Sequence, residues 1–174
     1  MTITFKKLEE PTDELVNSLN KWENDPAIVP FIHPCRSKEE VDTKVMITKE
    51  ELTARLSSYS MYLIYLDNLL VGEMNFIVDP KHLFKQEEGS AWIGITIGEN
   101  AARGRGVGFT SLSYLESEIK RLGLNRIELG VFAFNQVAHK LYKKLGYKEI
   151  GINKDFTYYQ DKMWDDIRME KYIK

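Results

Sequence analysis

The apolar positions of this chain change period several times along its length. Ile3 and Phe5 alternate with polar neighbours over Thr2–Lys7, the period of a half-buried strand. After the capping residues Thr12 and Asp13, Leu15, Leu19 and Trp22 fall four and then three apart, the stripe of an amphipathic helix. Asn24-Asp25-Pro26 stops that helix, because proline pushes the preceding residue out of the helical region. Pro26 to Arg36 contains three prolines and is expected to be a loop, since proline cannot pair inside a sheet. Ser37-Lys38-Glu39-Glu40 and Thr48-Lys49-Glu50-Glu51 are both Ser/Thr-x-x-Glu boxes that satisfy donors at a helix start, so two short helices or one bent helix follow. Met61–Leu66 and Leu69–Phe76 are β-rich runs joined by Asp67-Asn68, a pair suited to a tight hairpin. The polar stretch Val78 to Ser90, with Pro80 and Gly89, reads as a loop before a strand at Ala91–Ile97.

A glycine-rich stretch, Gly98 to Gly108, leads into a helix with Leu112, Leu115, Ile119 and Leu122 on one face and Gly123 as its C-cap. Arg126–Phe132 alternates Ile127, Leu129 and Val131 inward; reached by a helical crossover, it is expected to run parallel to Ala91–Ile97. Asn135 caps a helix carrying Val137, Ala138, Leu141, Tyr142 and Leu145, and Gly146 ends it. Tyr147–Ile152 resumes as strand, an aromatic group follows at Phe156, Tyr158 and Tyr159, and Met163–Ile173 is a last strand with Ile167 and Met169 on one face. The sum is a mixed α/β (α+β) fold of order β-α-α-β-β-β-α-β-α-β-β.

At 174 residues the chain fits one domain, 1–174, and 43% hydrophobic with 29% charged residues excludes disordered and fibrous classes. Lys+Arg 24 against Asp+Glu 26 leaves a charge of -2, so no bulk positive field exists to hold nucleic acid or an anionic membrane. No apolar run reaches the ~18 residues of a membrane helix, and the start of the chain lacks the apolar region of a signal peptide, so the expected compartment is the cytoplasm. One cysteine and three scattered histidines (His33, His82, His139) give no metal-ligand spacing, and Cys35 between Pro34 and Arg36 reads as an incidental thiol. All five prolines precede residue 81, whereas ten of eleven glycines lie from Gly89 onward. Glycine lets a backbone approach a ligand closely, so the second part is where a ligand should meet main chain.

The loop Arg103-Gly104-Arg105-Gly106-Val107-Gly108 sits between a strand and a helix, where main-chain N–H groups and a helix N-terminus converge on an anion. The two arginines suit a pyrophosphate; the Walker and dinucleotide glycine patterns are both absent. Arg103-x-x-Gly106-x-Gly108 resembles the Arg/Gln-x-x-Gly-x-Gly/Ala loop of the GNAT superfamily of acyl-CoA-dependent N-acyltransferases. Asn135-x-x-Ala138-x-x-x-Tyr142-x-x-x-Gly146-Tyr147 resembles that family's second signature, in register with the first. The Ile97-Gly98-Glu99 lead-in and the ending Asp165 to Lys171 are most similar to the RimJ/RimL-type branch, whose members acetylate N-terminal and other primary amines.

The resemblance implies a GNAT-like domain: a central, mostly antiparallel sheet with a parallel pair flanking a cofactor cleft, and helices on both faces. It implies acetyl-CoA as co-substrate, with Arg103, Gly104, Arg105, Gly106, Val107 and Gly108 at the pyrophosphate and Ile95, Thr96 and Ile97 beside the acetyl group. An amine would attack directly, since no Cys/His or Ser/His/Asp set supports a covalent intermediate. Tyr142 matches the tyrosine that protonates the leaving thiolate, although it could also simply pack against Ala138, four residues away. Asn135 could bond the pantetheine arm or serve as a helix cap. The base is open among Glu73, Glu99 and solvent; Glu73 alternates with Val71 and Asn75. Acceptor recognition falls to Pro26–Arg36, the helices after it and Phe156–Trp164, with Trp22, Phe31, Trp164, Tyr158 and Tyr159 as candidate lining, and with Glu23, Asp25, Asp165 and Asp166 as candidate attractors of a cationic amine. A peptide or protein N-terminus is the first acceptor in view. A polyamine or aminoglycoside, or a non-catalytic acyl-CoA-binding role, is the alternative, and a homodimer is open.

Overall fold

Seven strands form one sheet in the computed structural model, which describes residues 1–173; Lys174, part of the expected 1–174 domain, lies outside the described residues. The strands are β1 (Ile3–Lys7), β2 (Ser60–Leu66), β3 (Leu69–Val78), β4 (Ser90–Ile97), β5 (Arg126–Phe132), β6 (Lys148–Tyr159) and β7 (Lys162–Tyr172), in spatial order β1-β2-β3-β4-β5-β7-β6. The helices are α1 (Asp13–Trp22), α2 (Val29–Ile32), α3 (Lys38–Asp42), α4 (Lys49–Leu56), α5 (Val107–Arg121) and α6 (Gln136–Lys144). The family-type architecture expected from the motifs is present, with antiparallel pairing everywhere except between β4 and β5.

The local signals act as chemistry requires. Asp67 and Asn68, both at positive φ (49° and 68°), close the β2–β3 hairpin in the left-handed conformation that matches strand twist. Thr48 and Glu51 complete a reciprocal capping box on α4. At α3 the box is shifted, because Ser37 caps the Glu40 amide while the Glu40 carboxylate accepts from the amide of Arg36. The proline-bearing segment is not all loop: Pro30 enters the short helix α2 near its start, where its missing N–H is harmless. The aromatic group at Phe156–Tyr159 belongs to β6, which continues past Ile152 through a bulge between Asn153 and Thr157 and turns at Gln160-Asp161, both at positive φ. Leu122 and Val137, expected on buried faces, point to solvent.

Two apolar layers sandwich the sheet. On one face α5 and α6 bury Leu112, Leu115, Ile119, Tyr142 and Leu145 against Met74, Phe76, Ile127, Leu129 and Val131. On the other, α1 and α4 bury Leu15, Leu19, Trp22 and Leu52 against Met61, Leu63 and Leu70. This second helical layer covers only the β1–β3 side. Behind β4, β5 and β7 the cover is ionic. Arg126 and Glu128, both fully buried, pair with each other; Arg126 also bonds Glu170 at 2.8 Å, and Glu128 accepts from Arg168 at 3.2 Å. The loop between β3 and β4 seals this cluster: the Phe84 amide donates to Glu128, the carbonyls of His82 and Lys85 accept from Arg168 and Arg126, and Lys85 pairs with Glu170. Buried charges persist only when paired and hydrogen-bonded in this way.

The feature that makes a site is where pairing stops. β4 and β5 are joined only at Ser90↔Arg126, Ala91↔Ile127 and Trp92↔Glu128. Beyond that point β4 stays with β3 as far as Ile97, and β5 stays with β7 as far as Phe132. The sheet therefore divides into two arms, and the second half of β4 has a backbone edge facing a cleft rather than a neighbour. Ile95, Thr96 and Ile97 are accordingly only half-buried although they lie on a central strand.

Candidate active site

The cleft is floored by β4 and closed at one end by the glycine loop. Gly104 and Gly106 adopt φ of 70° and 77°, the left-handed region, and a Cβ at either position would meet no protein atom within 4 Å. Gly106 is the N-cap of α5, with no side chain capping the helix and no acid in its first turn. The amides of Val107, Gly108 and Phe109 thus emerge unpaired from a helix four turns long, a concentration of positive partial charge. Val107 anchors the turn in the core, and Gly108 lets α6 approach, since a Cβ there would lie 3.1 Å from Leu141 Cδ2. Arg103 donates to the Ile97 carbonyl through Nε and a terminal nitrogen (3.4 and 3.2 Å), tying the loop to the end of β4, and Arg105 donates to the Ala101 carbonyl at 3.3 Å. Both guanidinium groups remain exposed beside the open helix end. A diphosphate fits this set of main-chain donors and two cations.

Of its two expected roles, Asn135 fills that of helix cap. Its Oδ1 accepts from the Ala138 amide at 3.3 Å as the α6 cap, which leaves the side-chain NH2 group to donate elsewhere. About two turns on, Tyr142 is buried, edge-on to Tyr147 at 5.9 Å. Burial alone pushes its hydroxyl up to about 12, so it holds its proton throughout the neutral range.

Glu73 lies on β3 directly across from Leu63 on one side and Thr96 on the other. A register shift at Ile64/Tyr65 turns Val71 into the core under α5, so Val71 does not share the face of Glu73. The Glu73 carboxyl is buried, and only Asn75 Nδ2 donates to it, at 3.1 and 3.4 Å. Desolvation outweighs that bond and lifts its pKa to about 7, the range suited to a general base. Glu99 is held differently: Lys21 at 2.7 Å and Trp22 Nε1 at 2.8 Å bond its Oε1, and these bonds keep its carboxyl below the usual range. Glu99 is therefore a weak base committed to anchoring α1 on β4. Trp22 is likewise structural, fully buried over Gly98, where a Cβ would sit 2.2 Å from the indole.

The carboxylates expected to attract a cationic amine are occupied. Glu23 faces His33 Nε2 at 3.3 Å and Arg55 at 3.8 Å; Asp165 pairs with Lys154 at 3.1 Å; Asp166 pairs with Arg168 at 2.8 Å; Asp25 caps the Ala27 amide. What sequence reading missed is a tie across the mouth of the cleft. The Cys35 carbonyl accepts from the Tyr158 amide at 2.7 Å and the Cys35 amide donates to Thr157 Oγ1 at 3.0 Å, so the proline-bearing segment joins the β1–β4 arm to the β6–β7 hairpin. The Cys35 thiol is buried and pushed up by that burial, so the residue acts through its backbone. Among the described residues no group of three His, Cys, Asp or Glu side chains could hold a metal ion, and no helix is long and apolar enough to cross a membrane.

The split sheet, the open helix N-terminus and the buried tyrosine lie on elements that meet beside β4 and β5, and comparison supplies the family. Residues 16–147 match the Acetyltransferase (GNAT) family, and the chain belongs to it: this is a GNAT acetyltransferase. A 50-residue stretch is 36% identical to the uncharacterized N-acetyltransferase YycN of Bacillus subtilis, covering 29% of this chain and 32% of that protein, so the match spans about a third of that relative's length. The acetyltransferase of GNAT family from Streptococcus pneumoniae superposes with a TM-score of 0.75 at 25% identity, over 99% of this chain and 100% of its own. Spermidine N-acetyltransferase from Vibrio cholerae, solved with CoA and spermine, gives 0.73 at 18% identity over 98% and 95% of the two chains, a likeness of fold.

Proposed function

We propose that this protein moves the acetyl group of acetyl-CoA to a primary amine by direct attack within a ternary complex. The observation that carries this reading is the uncapped start of α5, with its two left-handed glycines, opening into the cleft that the parting of β4 and β5 creates. The loop from Arg103 to Gly108 holds the pyrophosphate, and the Asn135 NH2 group bonds the pantetheine arm. The free edge of β4 at Ile95, Thr96 and Ile97 aligns the thioester, its N–H groups polarising the carbonyl as negative charge develops on oxygen.

The acid and base come from opposite arms. Glu73, on β3, takes a proton from the ammonium directly or through a water, which frees the lone pair that attacks the carbonyl carbon. The C–N bond forms, the C–S bond breaks, the Tyr142 hydroxyl, on α6, gives its proton to the departing thiolate, and the second proton of the attacking nitrogen, shed as the amide forms, returns to the Tyr142 oxygen through water. A hydroxyl held near 12 keeps its proton until the thiolate forms beside it. The RimJ/RimL-like ending of the chain favours a peptide or protein N-terminus as acceptor.

Thiol release monitored with acetyl-CoA across a panel of primary amines tests the reading. Saturable turnover on at least one amine is expected, and Tyr142→Phe should lower kcat by about 100-fold with little change in acetyl-CoA affinity. Saturable acetyl-CoA binding without turnover on any amine would instead favour a non-catalytic acyl-CoA-binding module.

A further inference from the structure

The mouth of the cleft carries an aromatic shelf that the catalytic reading does not use. Phe31, on α2, crosses from the β1–β4 side to meet Phe134 at 5.3 Å and Tyr159 at 5.7 Å, both edge-on. Phe134 stacks on Tyr159 at 4.2 Å and meets Trp164 at 5.5 Å. None of these four is in the core; Phe31 is 39% exposed, and the other three are half-buried. Their location matters as much as their type. Phe134 immediately precedes Asn135, and Phe31 lies two residues before His33, whose partner Glu23 faces the Glu73 neighbourhood. The shelf thus continues the cofactor cleft on the side where an acceptor must enter.

The charges around it disfavour one class of acceptor. A polyamine needs several available carboxylates spaced along its length, yet Glu23 faces Arg55, Asp165 faces Lys154, Asp166 faces Arg168, Glu40 caps the Arg36 amide and Asp161 accepts from the Tyr158 hydroxyl. Two cations also sit over the rings at the rim: Lys162 Nζ lies 3.7 Å from the Trp164 ring, and the Arg36 guanidinium 5.6 Å from Phe156. A second ammonium would meet like charge there rather than a partner.

We propose that the acceptor is a primary amine attached to an aromatic or flat apolar group, which lies on the shelf of Phe31, Phe134, Tyr159 and Trp164 while its single amine reaches Glu73. This rests on the acetyl-transfer reading and narrows its substrate class. The same chemistry is met in a free arylalkylamine and in a peptide whose first residue is aromatic, and the test separates these sources.

Acceptors would be compared in matched pairs: 2-phenylethylamine against n-butylamine, and a tripeptide beginning with phenylalanine against its alanine counterpart, with spermidine alongside. Within at least one pair the ring-bearing member should have a kcat/KM roughly tenfold higher, and spermidine should fall below it. The pair with the larger ratio identifies the source. Phe31→Ala should collapse the ratio to about twofold or less through KM, and Phe31→Leu, which keeps apolar bulk, should lose most of it too. Acetyl-CoA affinity checks that both variants fold. Equal rates within both pairs, preference for spermidine, or a ratio indifferent to Phe31 would overturn the proposal while leaving acetyl transfer intact. Calorimetric titration of 2-phenylethylamine into the CoA-loaded protein separates the opposite failure: ring-dependent binding lost in Phe31→Ala, with no amine acetylated, would uphold the shelf and refute the transfer reaction.

Discussion

The two ends of the cleft are built from different parts of the polypeptide. Under the proposed acetyl transfer, the binding groups at the α5 end are mostly main chain: the amides of Val107, Gly108 and Phe109, the left-handed turns at Gly104 and Gly106, and the bare edge of β4. At the α2 end they are side chains brought from distant places: Phe31, Glu73, Phe134, Tyr159 and Trp164. A diphosphate and a thioester are the same in every turnover, so a fixed array of amides serves them. An acceptor is chosen by its shape and charge, which backbone cannot distinguish. The difference teaches that specificity here can change without disturbing the cofactor end.

The most damaging change at the main-chain end should be Gly106→Trp. It forces a side chain into open ground beside the helix N-terminus and into a left-handed conformation, so acetyl-CoA binding should be lost, with a strain of only about 1–2 kcal/mol on folding. Calorimetry and thermal melting would check the two halves of that statement. Unchanged affinity would remove the loop from the site.

Arg126→Ala attacks what both ends share, the point where β4 and β5 separate. It strands Glu128 and Glu170 without their common partner, so a loss of roughly 3–5 kcal/mol in denaturant unfolding is expected. A loss below about 1 kcal/mol would mean the remaining cations, Arg168 and Lys85, suffice.

Glu73→Gln sharpens the side-chain end through pH. With the carboxyl titrating at about 7, the rate of the parent protein should rise through that value as the base form appears, and the variant should lose this limb. Stability runs the other way. The folded state holds a proton that the unfolded chain releases near 4.5, so stability falls as pH rises from there to about 7. Above pH 7 the variant should therefore be the more stable by roughly 3 kcal/mol, measured by denaturant titration at pH 5 and pH 8. The smallest effect is expected of Glu99→Gln, about 1 kcal/mol from the weakened bonds to Lys21 and Trp22, with the pH–rate limb retained. Disappearance of the limb in this variant would transfer the base role to Glu99.

The same division explains what could be read from the sequence. The parallel pair was legible because a helical crossover joins its two strands, and the hairpin at Asp67-Asn68 and the helix caps at Thr12, Thr48 and Asn135 because each depends on residues within a few positions of one another. The glycine loop was legible for that reason also. The extension of β6 past Ile152 was not, because its bulge is stabilised by Asp165, on the opposite strand, accepting from the Asp155 amide at 3.0 Å. The turn of Val71 away from Glu73 depends on a one-residue shift against β2 that no spacing announces. The pairing of Asp166 with Arg168 had a local signal, two residues apart on one strand face, whereas Glu23 with Arg55 had none. The ionic layer was hidden because Arg126, Glu128 and Glu170 look like the solvent-facing half of alternating strands until the β3–β4 loop folds over them.

The tie at Cys35 gives the slot a closed outline with two unequal seams. One is the ionic apex, where opening would expose several buried charges at once; the other is a pair of hydrogen bonds between Cys35 and the residues Thr157 and Tyr158. Local opening follows the weaker seam. The Tyr158 amide should therefore exchange with deuterium well before that of Ile127, and desolvated product should leave past the proline-bearing segment rather than by a parting of the strands.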